Sequence, residues 1–146
     1  MHQLIYFSRN TMSGDLLKGL KEILGVSQRN NQRDGVTGSL IFDKVWFLQI
    51  LEGNLEIIQA TYKRIEKDSR HREATVMTVR PLIQRQFPDW GMGGLLRSPD
   101  VQEIFLSHGI GGEMDPRKLH AATVVDLALD LKAFDQRKRS DICKAS

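Results

Sequence analysis

A glutamine stands in the middle of an otherwise apolar run, Val45-Trp46-Phe47-Leu48-Gln49-Ile50-Leu51. Its amide carries two donor hydrogens and a carbonyl acceptor, and a polar group left unpaired in an apolar interior costs about 1–3 kcal/mol. Gln49 therefore needs polar company. Tyr6 is a second polar group in an apolar pattern, alternating with Leu4 and Ser8 on one face of a strand whose other face carries Ile5 and Phe7. Asn31 is a third. Positions 20, 24, 27 and 31 share a helix face, so its amide points where the apolar side chains point. Singly, each has an ordinary structural reading: a glutamine bonded to a loop, a tyrosine with its hydroxyl at the core edge, an asparagine capping a helix end. Together the three could converge on one cleft between helices and sheet, where a flat polar ligand would satisfy all of them.

The elements that must position these groups follow from periodicity and turn chemistry. His2 to Ser8 predicts a strand. Ser13 is a candidate N-cap for a helix to about Asn31 with a stripe of Leu16, Leu20, Ile23 and Leu24, and Asp34-Gly35 supplies the turn that ends it. Val36 to Phe42 and Val45 to Leu51 predict a hairpin around Asp43-Lys44. The near-continuous apolar run of its second strand predicts burial on both faces. Asn54 is the expected cap of a second helix, with Leu55, Ile58, Tyr62 and Ile65 inward, ending near residues 68–71. Thr75 to Leu82 and Trp90 to Leu96 predict the fourth and fifth strands. The order β-α-β-β-α-β-β is a ferredoxin-like α+β arrangement with an added strand, and its two helices cover one face of an antiparallel sheet.

Cover for the other face must come from the remaining chain. Ser98-Pro99 and Gly109 frame a short helix from Pro99 to His108. After a joint at Gly109-Ile110-Gly111-Gly112, Asp115-Pro116 starts a longer helix ending near Lys138. It carries two apolar rows, Leu119, Ala122, Val125 and Leu129, and Val124, Leu127, Leu131 and Phe134. One row can cover the sheet. The second either meets a partner or belongs to one broad core face. The domain reading is residues 1–97 for the ligand-binding part and 98–146 for a helical extension.

Several segments now form a set: Tyr6-x-Ser8, Ser27-Gln28-Arg29-Asn30-Asn31, Gly35-x-Thr37-Gly38, Phe47-Leu48-Gln49-Ile50-Leu51-Glu52-Gly53, Asp68-Ser69-Arg70-His71 and Phe87-Pro88-Asp89-Trp90-x-Met92. In order and spacing the set resembles the BLUF domain, a blue-light sensor that holds a flavin, of the short stand-alone type with C-terminal helices. The resemblance covers residues 1 to 97. A departure is Asn30, where some members carry a histidine beside the flavin-binding asparagine.

The resemblance implies FAD as cofactor, with FMN and riboflavin as alternatives, its ring lying between the two helices. Asn31 would bond the polar ring edge with Asn30 nearby, Arg70 and His71 would close over the ring or its carbonyls, and Ser8, Ser27 and Gln49 complete the implied binding set. Tyr6 would be the photochemical electron donor and Gln49 the bridge to the flavin, rotated or tautomerised after light. Trp90 and Met92, two apart on one strand face, would relay the change to the sheet. The resemblance further implies a non-enzymatic bacterial regulator, homo-oligomeric, acting on a separate effector such as a cyclic-di-GMP phosphodiesterase.

Composition agrees with a globular chain: 146 residues, 40% hydrophobic and 27% charged. A net charge of +3 is too mild to indicate nucleic acid or a membrane surface. The apolar stretches fall far short of the ~20 residues of a membrane span, and the first residues carry no signal-peptide pattern. A single cysteine, Cys143, excludes an internal disulfide and fits a cytoplasmic location. The same topology serves acylphosphatase-like hydrolases, for which Arg9-Asn10 after the first strand is the candidate pair, but the glycine-rich anion cradle is missing. An RNA-binding sheet would need exposed aromatics, whereas Phe42, Trp46 and Phe47 fall in a run that reads as buried. A non-signalling dimerisation module explains the last helix but not Tyr6, Gln49 and Asn31 together.

Overall fold

A computed structural model describes residues 1–12, 14–88 and 93–145. Alternating side chains build β1 (His2–Asn10), β2 (Thr37–Asp43), β3 (Trp46–Gly53) and β4 (His71–Pro81), and β5 (Gly93–Leu96) completes the sheet. The helices α1 (Leu16–Asp34) and α2 (Leu55–Glu66) lie between strands, and α3 (Gln102–Ser107) and α4 (Ala121–Ala145) follow them. The strand order is β4-β1-β3-β2-β5. The four long strands pair antiparallel, the ferredoxin-like pattern the sequence predicts, and β5 adds parallel to β2. β4 and β5 are therefore opposite edges, and the segment between them must cross the sheet. The expected fifth strand is seen from Gly93 onward; Trp90 and Met92 lie outside the described residues, as does Ser13.

Local chemistry sets the element ends. Asp15 caps α1, its carboxylate accepting from the Lys18 N–H at 3.1 Å. Gly35 closes α1 at φ +68°, a left-handed conformation that glycine adopts without a side-chain penalty. Asn31's carbonyl takes the N–H groups of Gly35 and Val36, which fixes the backbone at the third candidate residue. Gly38 is required for a different reason: a Cβ there would sit 1.8 Å from the Ile50 carbonyl oxygen. The hairpin turns at Lys44-Val45, one residue later than expected, with Lys44 at φ +36°. Asn54 caps α2 by accepting from Glu56 and Ile57 N–H. Ser98 makes no side-chain cap, and the chain enters α3 through a 3₁₀ turn, Pro99–Val101. Another such turn, Pro116–Lys118, capped by Asp115, precedes α4, which runs past the expected end to Ala145.

The pleat divides the core in two. Leu4, Tyr6, Leu40, Phe42, Phe47 and Leu51 face α1 and α2, where Leu20 and Ile58 meet them. Ile5, Phe7, Ile41, Trp46, Leu48 and Ile50 face the C-terminal part, with Phe87, Phe105, Met114, Val124, Leu127 and Leu131. Every residue of β3 is buried, as the apolar run predicts for positions 46–51, whereas Val45 before it is exposed. On α4 the buried positions are Val124, Val125, Leu127, Ala128 and Leu131, while Ala122 is exposed, so its apolar rows merge into one broad core face. An ion pair fastens this layer to the hairpin: Arg97 reaches Asp43 at 2.8 Å and the Gly112 carbonyl at 2.7 Å, and Asp43 also accepts the Met114 N–H at 3.0 Å. Among the described residues no helix is long and apolar enough to cross a membrane.

Candidate functional site

The strand register brings the two central polar groups together. β1 and β3 pair with Tyr6 directly opposite Gln49. Cross-strand partners share a face, and both side chains are 3% exposed. The Tyr6 hydroxyl donates to the Gln49 carbonyl oxygen. Burial pushes the Tyr6 phenol far above its ordinary range, with smaller contributions from Tyr62 and Asp68. It therefore stays protonated, and a donor, at any physiological pH.

These two residues form the floor of a cleft together with Leu40 and Phe47. One wall comes from α1: Ile23, Val26, Ser27, Asn30 and Asn31. The other comes from α2 and the residues after it: Thr61, Arg64, Ile65, Asp68, Arg70 and His71. The open volume, mouth included, is about 760 Å³. Helix spacing explains the α1 wall, since 23, 27, 30 and 31 fall on one face. Asn31 is 2% exposed, and its Nδ2 is buried without a hydrogen-bond partner. A buried amide nitrogen in that condition is unfavourable by about 1–3 kcal/mol, and it lies where a ligand carbonyl would satisfy it. A flat heteroaromatic ring with polar edges, such as a flavin, fits this set: apolar side chains for its faces, and the Asn30, Asn31 and Gln49 amides with Ser27 for its heteroatoms.

The remaining sequence-derived residues are placed as follows. Arg70 lines the cleft with its guanidinium engaged by Asp68, through Nε at 3.0 Å and Nη2 at 2.7 Å. That pairing holds the Asp68 carboxyl below, and the Arg70 guanidinium above, their usual ranges. His71 is the first residue of β4, and its ring lies near those of Tyr6 and Phe47, with centroids 6.5 and 6.2 Å apart. Both of its nitrogens are engaged. Nε2 meets the Ile65 carbonyl at 2.5 Å, which only an N–H can do, so Nδ1 of the neutral ring accepts from the Ser8 hydroxyl at 2.7 Å. Ser8 is fully buried and is not among the lining residues; its contact is with His71. Arg9 and Asn10 form no anion cradle. Arg9 pairs with Glu73 and stacks over Trp46, and Asn10 bonds the Lys44 carbonyl and the Met12 N–H. Phe42, Trp46 and Phe47 are buried, so they offer no platform for stacked bases. Among the described residues no group of three or more His, Cys, Asp or Glu is placed to hold a metal ion.

One polar network was missed at the sequence level. Glu52, three residues after Gln49 and on the opposite sheet face, is 0% exposed. Its Oε1 accepts the N–H groups of Gln86 at 2.9 Å and Phe87 at 2.8 Å, and its Oε2 accepts the Gln3 amide at 2.8 Å. Gln3 also donates to Gln86 and accepts from Arg80. The carboxylate of the strand that bears Gln49 thus fastens the connection that leads toward residues 89–92. The signal was the parity of β3, which places Glu52 with Trp46, Leu48 and Ile50.

Comparison with known proteins yields one family. The family model described as "BLUF: Sensors of blue-light using FAD" matches residues 1–93. The photoactivated adenylate cyclase subunit beta of Euglena longa is 29% identical over 93 residues, 63% of this chain and 11% of that protein. The chain therefore spans about a tenth of this curated relative's length. Among solved structures, BlsA in its photo-activated state superposes with a TM-score of 0.79 at 26% identity, covering 89% of this chain and 93% of that one. BlrP1 of Klebsiella pneumoniae, solved with manganese and cyclic diGMP, superposes with a TM-score of 0.58 at 28% identity, covering 64% of this chain and 24% of that one.

Proposed function

The chain belongs to the BLUF family of flavin-based blue-light sensors, and on that premise we propose that it signals by a light-driven exchange of hydrogen bonds among Tyr6, Gln49 and a bound flavin. The observation that carries the reading is the buried Tyr6 hydroxyl donating to Gln49 on the floor of the cleft, with the unpartnered Asn31 amide in its wall. When bound, the flavin supplies absorption of blue light and, once excited, a strong one-electron acceptor.

The protein's part is positional. Burial keeps Tyr6 protonated, so the electron it gives is accompanied by a proton that leaves along the existing bond to Gln49. The Gln49 carboxamide can accept at oxygen and donate at nitrogen, which suits it to relay that proton. After the charge returns, the amide remains rotated or tautomerised and presents a different edge to the chromophore. The stored change is a few hydrogen bonds at about 1–3 kcal/mol each. Asn31, Asn30 and Ser27 hold the ring edge, and the Arg70–Asp68 pair closes the mouth. Ser8 acts through His71, donating to the ring nitrogen that the Ile65 carbonyl leaves as the acceptor. FAD is the form the family description supports; FMN and riboflavin share the ring system this cleft would hold.

In this reading residues 1–97 sense and residues 98–146 cover the second sheet face and carry the output. Trp90 and Met92 transmit the change, and the Glu52 anchorage of residues 86–87 ties their approach to the strand that bears Gln49. The recipient is a separate effector protein, with a cyclic-di-GMP phosphodiesterase as the specific candidate. Support for a nucleotide-signalling effector comes from relatives: one named a photoactivated adenylate cyclase, another solved with cyclic diGMP. An absorption spectrum before and after blue illumination tests the reading. The expected result is a yellow protein whose flavin bands move slightly to longer wavelength and return slowly in the dark. A colourless protein that also takes up no added flavin refutes it.

A further inference from the structure

We propose that Arg85 is a positioning residue for the ligand cleft: it ties the end of α1 to the end of β3 and so holds the Asn31 amide in register with Gln49. The inference rests on the flavin reading above, which assigns Asn31 to the ring edge. Its own observations are hydrogen bonds outside the cleft. The Arg85 guanidinium donates through Nη2 to the Gly35 carbonyl at 2.7 Å, and through Nη1 to the Thr37 hydroxyl at 2.8 Å and the Glu52 carbonyl at 2.9 Å. One planar fork therefore joins the turn after α1, the first residue of β2 and the penultimate residue of β3.

Asn31 lies in the last turn of α1, and its carbonyl accepts the Gly35 and Val36 N–H groups. Gly35 is thus bonded to Asn31 through its N–H and to Arg85 through its carbonyl. That turn is also pressed against β3, since a Cβ added at Gly53 would lie 3.3 Å from the Gly35 carbonyl oxygen. The cation is itself held in place: the next two residues, Gln86 and Phe87, donate their N–H groups to the Glu52 carboxylate, and Phe87 is fully buried. Apolar packing is non-directional. It fixes how closely α1 lies on the sheet but not its position along its own axis. Hydrogen bonds of defined direction at the helix end supply that second coordinate. An amide that must meet a ligand carbonyl depends on it, because a misaligned hydrogen bond weakens steeply. A lysine at position 85 would present one point charge and could not span the three acceptors as the fork does.

The test titrates riboflavin into the flavin-free, full-length chain and follows the carbonyl stretch of the bound ring by infrared spectroscopy. The parent protein is compared with Arg85→Met, Arg85→Lys, Asn31→Leu and the two double variants. Arg85→Met keeps the apolar stem and removes the donors. Its affinity should fall roughly tenfold, and the carbonyl band should move to higher frequency as the bond from Asn31 weakens. Arg85→Lys should shift both in the same direction by less. In the Asn31→Leu background either change at Arg85 should lower affinity by less than about twofold, since the group being positioned is gone. Losses that multiply across the two positions overturn the proposal, as do an unshifted carbonyl band and unchanged affinity in a folded Arg85→Met. If Arg85→Met does not fold, the same comparison with Arg85→Lys decides. A parent protein that takes up no flavin overturns both readings; one that binds flavin and red-shifts, with Arg85 and Asn31 acting independently, overturns this inference alone.

Discussion

Replacement of Gln49 by leucine isolates the relay from the binding site. The two side chains are similar in volume, and the position is 3% exposed, with Tyr6 opposite it on β1 and Leu40 opposite it on β2. In Gln49→Leu the Tyr6 hydroxyl loses its acceptor, an unfavourable change of about 1–3 kcal/mol. Added apolar burial returns roughly 1–2 kcal/mol. The net effect is within about 2 kcal/mol, small against the ~5–15 kcal/mol of a typical domain, so the variant should fold. Flavin affinity should fall by no more than about tenfold, the equivalent of one neutral hydrogen bond, because the Asn31 wall is untouched. The light response should vanish completely, since no amide remains to exchange. Flavin content is read from the visible absorption band, stability from denaturant unfolding, and the response from the light-minus-dark spectrum. An unaltered red shift in flavin-loaded Gln49→Leu would refute the relay.

Asn31→Leu should lower flavin affinity about tenfold or more, because the unpartnered Nδ2 is removed from the wall; equal uptake of added flavin by titration takes Asn31 out of the binding set. Glu52→Gln places an amide among donors that a carboxylate now satisfies. It should destabilise the protein by about 2–4 kcal/mol and speed amide exchange at Gln86 and Phe87, and unchanged protection there counts against the anchorage. Tyr6 ionises far less readily in the folded than in the unfolded chain. Its contribution to stability is therefore full below pH about 10, where the unfolded phenol is protonated, and is lost as pH rises beyond it. Phenolate absorbance of Tyr6 should appear only together with alkaline unfolding; titration of a still-folded protein's buried phenol would contradict its desolvation.

How legible these features were depended on how local their causes are. The alternation in β1 placed Tyr6 on a definite face, and the apolar continuity of β3 announced cover on both sides. Asn54 and Gly35 marked helix ends through chemistry confined to a few residues. The parallel pairing of β5 could not be read in the same way, because it depends on how the chain crosses the sheet after β4. Ser8 and His71 each read as a group aimed at a ligand; the structure bonds them to each other across 63 residues, and of the two only His71 lines the cleft. Glu52 reads locally as the polar end of a strand; its burial needs Gln3, Gln86 and Phe87, contributed by distant segments. Asp15 rather than a serine caps α1, a choice between neighbouring candidates that short-range pattern does not rank.

The two-sided sheet has a mechanical consequence. Leu48 and Ile50 flank Gln49 in sequence yet rest against the α3–α4 layer, so the strand has the cleft at one side and the C-terminal helices at the other. A partner that peeled those helices away would have to shield Ile5, Phe7, Leu48 and Ile50 itself. Sliding the layer along the strand leaves that wetting cost unincurred, so the packing favours a shift of the helices over their detachment.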